Sequence, residues 1–126
     1  MISLKLAFGS HHVVVELNDG EAAAQLRAAL PLAVEMNRWG DGEYYGTLTV
    51  PIGSKEKRRE VFAAGEVALW PDGNAFCIFF GPTPASHAGE PRMASPGIAL
   101  GKVIGGADVF KALGGSLRVR LLPADG

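Results

Sequence analysis

The sequence predicts a mainly β protein, folded as an eight-stranded β-barrel that is closed or partly open and carries two short helices. The chain has 126 residues, which suits a single domain over residues 1–126. It contains 17 glycines and 8 prolines, together well above their usual share, which indicates many tight turns. Because 48% of its residues are hydrophobic, the chain is not expected to be disordered. Many short segments alternate apolar and polar residues, and closing such strands into a barrel leaves no sheet edge exposed.

The first third of the chain predicts a hairpin followed by a helix. Apolar and polar residues alternate over residues 2–8, and β-branched residues dominate 13–17, with a Gly-Ser turn between the two strands. Residues 21–30 form the clearest helix, because they are rich in alanine, carry Glu21 in the first turn and place apolar residues on one stripe. Pro31 is expected to end this helix.

Four further strands are predicted in the middle of the chain, at residues 32–37, 43–50, 66–70 and 74–80. The last two form the strongest local signal, a hairpin around Pro71, Asp72 and Gly73. The proline presets φ for the first turn position, and the glycine is expected to supply the positive φ of a bulge. The second hairpin strand is apolar at every position from Ala75 to Phe80. Its outer face must therefore be covered, by the helix at 21–30, by a ligand groove or by a second subunit.

The last third of the chain predicts a loop at residues 81–96, a strand at 98–104, a short helix at 107–113 and a final strand at 116–122. The loop is stiffened by prolines and shows no periodicity, so we expect it on the surface. The short helix is closed by Gly114 and Gly115.

Two parts of the chain resemble known families. The stretch GKVIGGADVFKAL resembles the strand, turn and helix near the C-terminus of cyclophilins, matching at Gly101, Val103, Gly106, Asp108, Val109 and Leu113. On this basis the second glycine of the pair allows the turn and the aspartate caps the helix. Residues 66–84 and 38–45 resemble a more particular group, the small prokaryotic cyclophilin-like family. The resemblance implies an eight-stranded cyclophilin-type barrel.

The resemblance is incomplete at the residues that carry cyclophilin activity. Cyclophilins isomerise X–Pro bonds, and the arginine of a Phe-His-Arg strand motif hydrogen-bonds the prolyl nitrogen as amide resonance is lost. The strand at 43–50 contains no arginine, and Arg92 stands where cyclophilins carry a tryptophan. The sequence shows no assembled catalytic set, so a protein that is not an enzyme is the first expectation. If the chain is an enzyme, it is a peptidyl-prolyl isomerase whose arginine is displaced, with Arg38 or Arg92 reaching the proline cup from another direction.

The candidate ligand site is a groove lined by aromatic side chains, although the same aromatics could serve only as core packing. Its candidate residues are Trp39, Glu43, Tyr45, Trp70, Phe79 and Arg92. The arginine is the expected anchor for a carboxylate or carbonyl. Glu43 and Asp41 lie either on a solvated turn or at the rim of the pocket as a polar anchor. No catalytic residue is assigned.

Several classes of function are not expected. A net charge of −1 offers no footprint for nucleic acid. The adjacent His11 and His12 would point to opposite faces of a strand, so no metal site and no cofactor are predicted. Cys77 is expected to be a buried, inert thiol. The N-terminus lacks a long apolar stretch and no segment is long enough to span a bilayer, so we expect a cytoplasmic prokaryotic protein without a membrane partner.

Three functions therefore stay open. The first is a module that binds a small molecule or an extended peptide in the aromatic groove. The second is a peptidyl-prolyl cis-trans isomerase that acts on proline-containing peptides with a displaced arginine. The third is a structural module that forms a homo-oligomer through its all-apolar strand.

Overall fold

The structure is a computed structural model, and it describes residues 3–124. It contains nine strands and one α-helix: β1 (Ser3–Phe8), β2 (His11–Leu17), α1 (Glu21–Ala28), β3 (Leu32–Trp39), β4 (Glu43–Thr47), β5 (Arg59–Val61), β6 (Glu66–Trp70), β7 (Ala75–Phe79), β8 (Arg92–Val103) and β9 (Ser116–Pro123). The predicted first strand began at Ile2, which lies outside the described residues.

Eight of the strands close into an antiparallel barrel. The sheet order is β2-β1-β9-β3-β4-β7-β6-β8, and the last strand returns to the first through the pairing of Val15 with Val103. The remaining strand, β5, pairs only with the beginning of β8, where Val61 lies opposite Arg92. The prediction of an eight-stranded barrel is confirmed, and the barrel is closed.

The barrel interior holds the main hydrophobic core. Side chains that alternate along the strands point inward and are fully buried, among them Leu6, Tyr44 and Phe76. The helix α1 connects β2 to β3 at one end of the barrel, and its Ala22 and Leu26 pack into the same core.

Both predicted helices are shorter than the sequence pattern indicates. The first ends at Ala28 rather than at residue 30. The second is a 3₁₀-helix over Asp108–Ala112, and the prediction that Asp108 caps it is wrong, because Ala107 occupies the capping position and no side chain caps the turn. Glycines at 105–106 and 114–115 bracket this segment, so it is too short to form an α-helical nucleus.

The hairpin between β6 and β7 is confirmed, but its turn works differently from the prediction. The positive φ of 47° belongs to Asn74 and not to Gly73. An Asn side chain tolerates this conformation, and here its amide donates to the carbonyl oxygens of Leu48 and Val50 at 3.3 and 2.9 Å. A Cβ on Gly73 would lie 2.9 Å from ring atoms of Trp70. The glycine therefore makes room for the indole.

The beginning of β8 was predicted as part of a loop. Residues 92–97 are extended because β5 pairs with them, a contact between segments far apart in sequence. Three of the four prolines predicted to stiffen this loop precede the strand, whereas Pro96 lies within it. This strand extension forms one wall of the candidate site.

The outer face of β7 is covered by the chain itself. Its Ala75, Cys77 and Phe79 form a second cluster with Phe62 and Met93. The ring of Phe62 stacks on that of Phe79, with centroids 4.8 Å apart and planes 9° from parallel. The prediction that the helix covers this face is wrong, because α1 packs into the barrel interior instead.

Candidate functional site

A cavity of about 260 Å³ opens on the outer wall of the barrel, beside the second hydrophobic cluster. It is lined by Trp39, Glu43, Tyr45, Trp70, Met93 and Ala94. These residues come from β3, β4, β6 and β8. On β4 the alternation of the strand sends Tyr44 into the core and leaves the two residues that flank it for the outer wall.

Glu43 is the polar group of this cavity, and its side chain is almost completely removed from water. The residue is 3% exposed, and its Oε1 has no hydrogen-bond partner among the described residues. Burial raises the pKa of Glu43 from its ordinary value of 4.5 to about 7, against the opposing effect of a hydrogen bond with the Cys77 thiol, which lowers this pKa. At neutral pH the carboxyl group therefore exists in both its protonated and its ionised form.

Cys77 lies beside this carboxyl group on the neighbouring strand, where it pairs with Tyr45. The thiol is fully buried, as predicted. Burial raises the pKa of Cys77, and the charge of Glu43 raises it further. The sulfur thus stays protonated and serves as a neutral neighbour rather than as a nucleophile.

Trp70 is held in place by hydrogen bonds outside the cavity. Its indole Nε1 donates to Ser95 Oγ at 2.7 Å, and the hydroxyl donates in turn to Asp72 Oδ2 at 2.6 Å. Gly73 packs beneath the ring. The indole is therefore fixed in one orientation before any ligand arrives, which reduces the entropic cost of binding.

The structure brings four of the six candidate residues together: Trp39, Glu43, Tyr45 and Trp70. Phe79 is fully buried and does not line the cavity; it packs in the second hydrophobic cluster, which also contains the lining residue Met93.

Arg92 lies next to the lining residue Met93 but is engaged elsewhere. Its Nε donates to Glu90 at 2.8 Å and its Nη1 to Glu60 at 3.1 Å. Glu90 also accepts from the backbone N–H groups of His87 and Ala88; these bonds and the guanidinium hold its pKa at about 2. The charge of Arg92 is thus neutralised by neighbouring carboxylates.

Arg38 lies at the end of the barrel where β3 ends and β9 begins. Its Nη1 donates to the carbonyl oxygens of Lys111 and Leu113 at 3.1 and 3.0 Å. Asp41, the other member of the predicted carboxylate pair, is 91% exposed and lies 3.3 Å from the guanidinium. The pair is therefore split: Asp41 is on a solvated turn, whereas Glu43 is a buried member of the cavity wall.

Sequence reasoning missed Met93 and Ala94, because it assigned both to a loop. A Cβ on Gly97 would come within 2.2 Å of the Met93 sulfur, so the glycine leaves space for this side chain. Residues 92–96 show no alternation of apolar and polar side chains, so no local pattern indicated a strand here.

Within residues 3–124, no cluster of three or more His, Cys, Asp or Glu side chains could hold a metal ion. The same part of the chain contains no helix that is long and apolar enough to cross a membrane.

Comparison with known proteins places these features in a family. Residues 2–121 match the family model described as cyclophilin-like. The chain is also similar to a hypothetical protein from Archaeoglobus fulgidus whose structure was determined in solution, with a TM-score of 0.83 and 32% identity over 98% of this chain and 95% of the other. No curated protein matches the chain. Because the family model spans nearly all of the sequence, the chain belongs to the cyclophilin-like family.

Proposed function

We propose that this protein is a binding module that holds a small molecule in the cavity between Trp39, Tyr45 and Trp70. The observation that carries the proposal is an open, aromatic cavity with a single desolvated carboxyl group, Glu43, in its wall. Concave sites that are mostly apolar and offer a few placed polar groups are typical of ligand pockets. A volume of about 260 Å³ suits a compact ligand.

The aromatic walls supply most of the expected affinity. Burying apolar ligand surface against indole and phenol rings contributes roughly 25 cal/mol per Å². The rings offer this surface at low entropic cost, because Trp70 is already fixed through Ser95 and Gly73. Tyr45 is 37% exposed, so its ring is accessible to an incoming ligand.

Ligand binding is expected to change the fluorescence of this protein directly. The chain contains two tryptophans, and both line the cavity. We expect members of a library of small aromatic and apolar molecules to alter the emission and to protect both indoles from acrylamide quenching. Trp70→Ala should weaken such a ligand by about tenfold, which corresponds to 1.4 kcal/mol of lost contact. Affinity is measured by fluorescence titration and by shifts of the indole N–H resonances.

Two variants serve as controls for this titration. Ile104→Ala removes an apolar side chain that is 50% exposed and does not line the cavity, so it should bind as the wild type does. Ser95→Ala keeps the indole but removes its hydrogen bond, so it should weaken binding less than Trp70→Ala does. If no library member disturbs either indole, the proposal is wrong.

We do not expect this cavity to isomerise proline peptides. Catalysis of this reaction needs a donor that stabilises the transition state more than the ground state. Arg92 is bound by Glu90 and Glu60, and Arg38 by carbonyl groups at the end of the barrel. A protease-coupled assay with a proline peptide should therefore show the uncatalysed rate. A rate that grows with protein concentration and is lost in Arg92→Lys would instead support the displaced-arginine hypothesis.

A further inference from the structure

We infer that the ligand of this cavity is a small organic cation, whose ammonium group lies against the aromatic rings and pairs with the carboxylate of Glu43. The inference rests on the proposed binding function and adds the chemical class of the ligand. It follows from the unpaired carboxyl oxygen, the neutrality of the surrounding wall and the chemistry of the rings.

The carboxyl oxygen is the first part of the argument. Only 3% of Glu43 is exposed to solvent, and its Oε1 accepts no hydrogen bond from the described residues. A buried polar atom without a partner is unfavourable, and a buried charge is more so. An ammonium group in the cavity would supply the missing positive charge, and one that carries N–H groups would also supply the missing donor.

Residues 3–124 offer no such charge at this position. The residues that face Glu43 from the surrounding strands are neutral: Trp39 on β3, Tyr45 on β4, Trp70 on β6, Cys77 on β7 and Met93 on β8. The nearby cations are already engaged, because Arg92 pairs with Glu90 and Glu60, and Arg59 lies 4.5 Å above the ring of Phe62. An anionic ligand would find no positive charge in this wall, and the ionised carboxylate would repel it.

The aromatic rings favour a cation over a neutral molecule of the same shape. The faces of Trp and Tyr rings attract an ammonium group through their quadrupole, and the attraction increases when water is excluded. Trp39, Tyr45 and Trp70 line the same cavity as Glu43. A cage of this kind recognises methylated or free ammonium groups by charge and shape together.

The affinity should depend on pH, because only the ionised carboxylate pairs with a cation. Two other titratable groups face Glu43, the phenol of Tyr45 on the same strand and the thiol of Cys77 on β7. The facing side chains of Trp39, Trp70 and Met93 do not titrate. With a pKa of about 7 for Glu43, cation binding should be strongest above pH 7 and should release protons near neutrality.

The test compares choline with its uncharged isostere 3,3-dimethyl-1-butanol, which replaces the quaternary nitrogen by carbon. Binding is followed by indole fluorescence and N–H resonances at pH 6 and pH 8. At pH 8 we expect choline to bind at least about tenfold more tightly than the alcohol, and about tenfold more tightly than it binds at pH 6. In Glu43→Gln the pH dependence should disappear and the preference for choline should shrink to the part that the rings supply, while the weaker binding of the alcohol should persist.

The possible failures separate the inference from the proposed function. Equal binding of choline and the alcohol would overturn the cation class and leave the binding module intact. The same holds if neither probe binds but neutral library members do. If neither the probes nor the library disturb the indoles, both proposals are wrong. If the preference for choline were unchanged in Glu43→Gln, the cation would not pair with the Glu43 carboxylate, and the inference would be wrong.

Discussion

Replacing Glu43 by glutamine is expected to raise the free energy of unfolding at pH 8 by about 3 kcal/mol and to leave it nearly unchanged at pH 4. Burial raises the pKa of this carboxyl from 4.5 to about 7 in the folded state. The native protein therefore binds the proton more tightly than the unfolded chain does. A change of this size in one pKa corresponds to about 3 kcal/mol.

The sign follows from this difference in proton binding. Below pH 4.5 the carboxyl group is protonated in both states, and its contribution is fully favourable. As the pH rises towards 7 the unfolded chain loses its proton first, so the wild type becomes less stable. Above pH 7 the folded protein carries a desolvated carboxylate. Glutamine has nearly the same shape and no charge to desolvate, so it does not suffer this loss.

The measurement is urea unfolding of the wild type and of Glu43→Gln at pH 4, 6 and 8. Comparison at each pH cancels the titration of all other groups. Glu35→Gln is the matched control, because this glutamate is 68% exposed and pairs with Arg118 on the surface. Its effect should stay within about 1 kcal/mol at every pH. A difference for Glu43→Gln that does not grow with pH would show that this carboxyl group is not desolvated.

The sequence was sufficient to predict the eight strands of the barrel because their signals are local, but it missed β5 and the beginning of β8, which pair with each other across the sequence. Alternation over residues 3–8 and the Pro-Asp-Gly turn after Trp70 depend on a few neighbouring residues, and both elements are present. The family resemblance supported the prediction of a barrel, because local patterns alone do not distinguish a barrel from other antiparallel arrangements. The turn still differed in detail, because the close packing of Trp70 on Gly73 is a contact of side chain with backbone that no propensity describes.

The candidate site was predicted in its aromatics but not in its electrostatics. Trp39, Tyr45 and Trp70 could be selected as large side chains on predicted strands and turns. The burial of Glu43 depends on how distant segments cover the barrel wall, including Met93, which β5 holds in place by pairing with β8. Such long-range coverage has no local signature. For the same reason the charge of Arg92 could not be seen to be neutralised by Glu60, which lies 32 residues away in sequence.

Replacing Arg38 by methionine is expected to lower the free energy of unfolding by about 3 kcal/mol without changing ligand binding. The guanidinium donates to carbonyl oxygens of Lys111 and Leu113 and lies 5.0 Å from the centre of the Phe80 ring. Methionine keeps most of the apolar length but removes the donor of the partly buried bonds to the Phe110 and Leu113 carbonyl groups, which costs roughly 1–3 kcal/mol for each unsatisfied group. Water can replace the exposed bond to Lys111.

Urea unfolding of three variants tests this role of Arg38. Arg38→Lys retains the charge but loses the planar fork and the stacking, so its stability should fall between those of the wild type and Arg38→Met. Arg118→Met is the matched control, since that arginine is 75% exposed and its ion pair contributes about 1 kcal/mol at most. Because Arg38 does not line the cavity, fluorescence titration below the unfolding transition should give the wild-type affinity. If Arg38→Met unfolded like Arg118→Met, Arg38 would not stabilise the end of the barrel. If Arg38→Met abolished binding while still folded, this arginine would act at the ligand site.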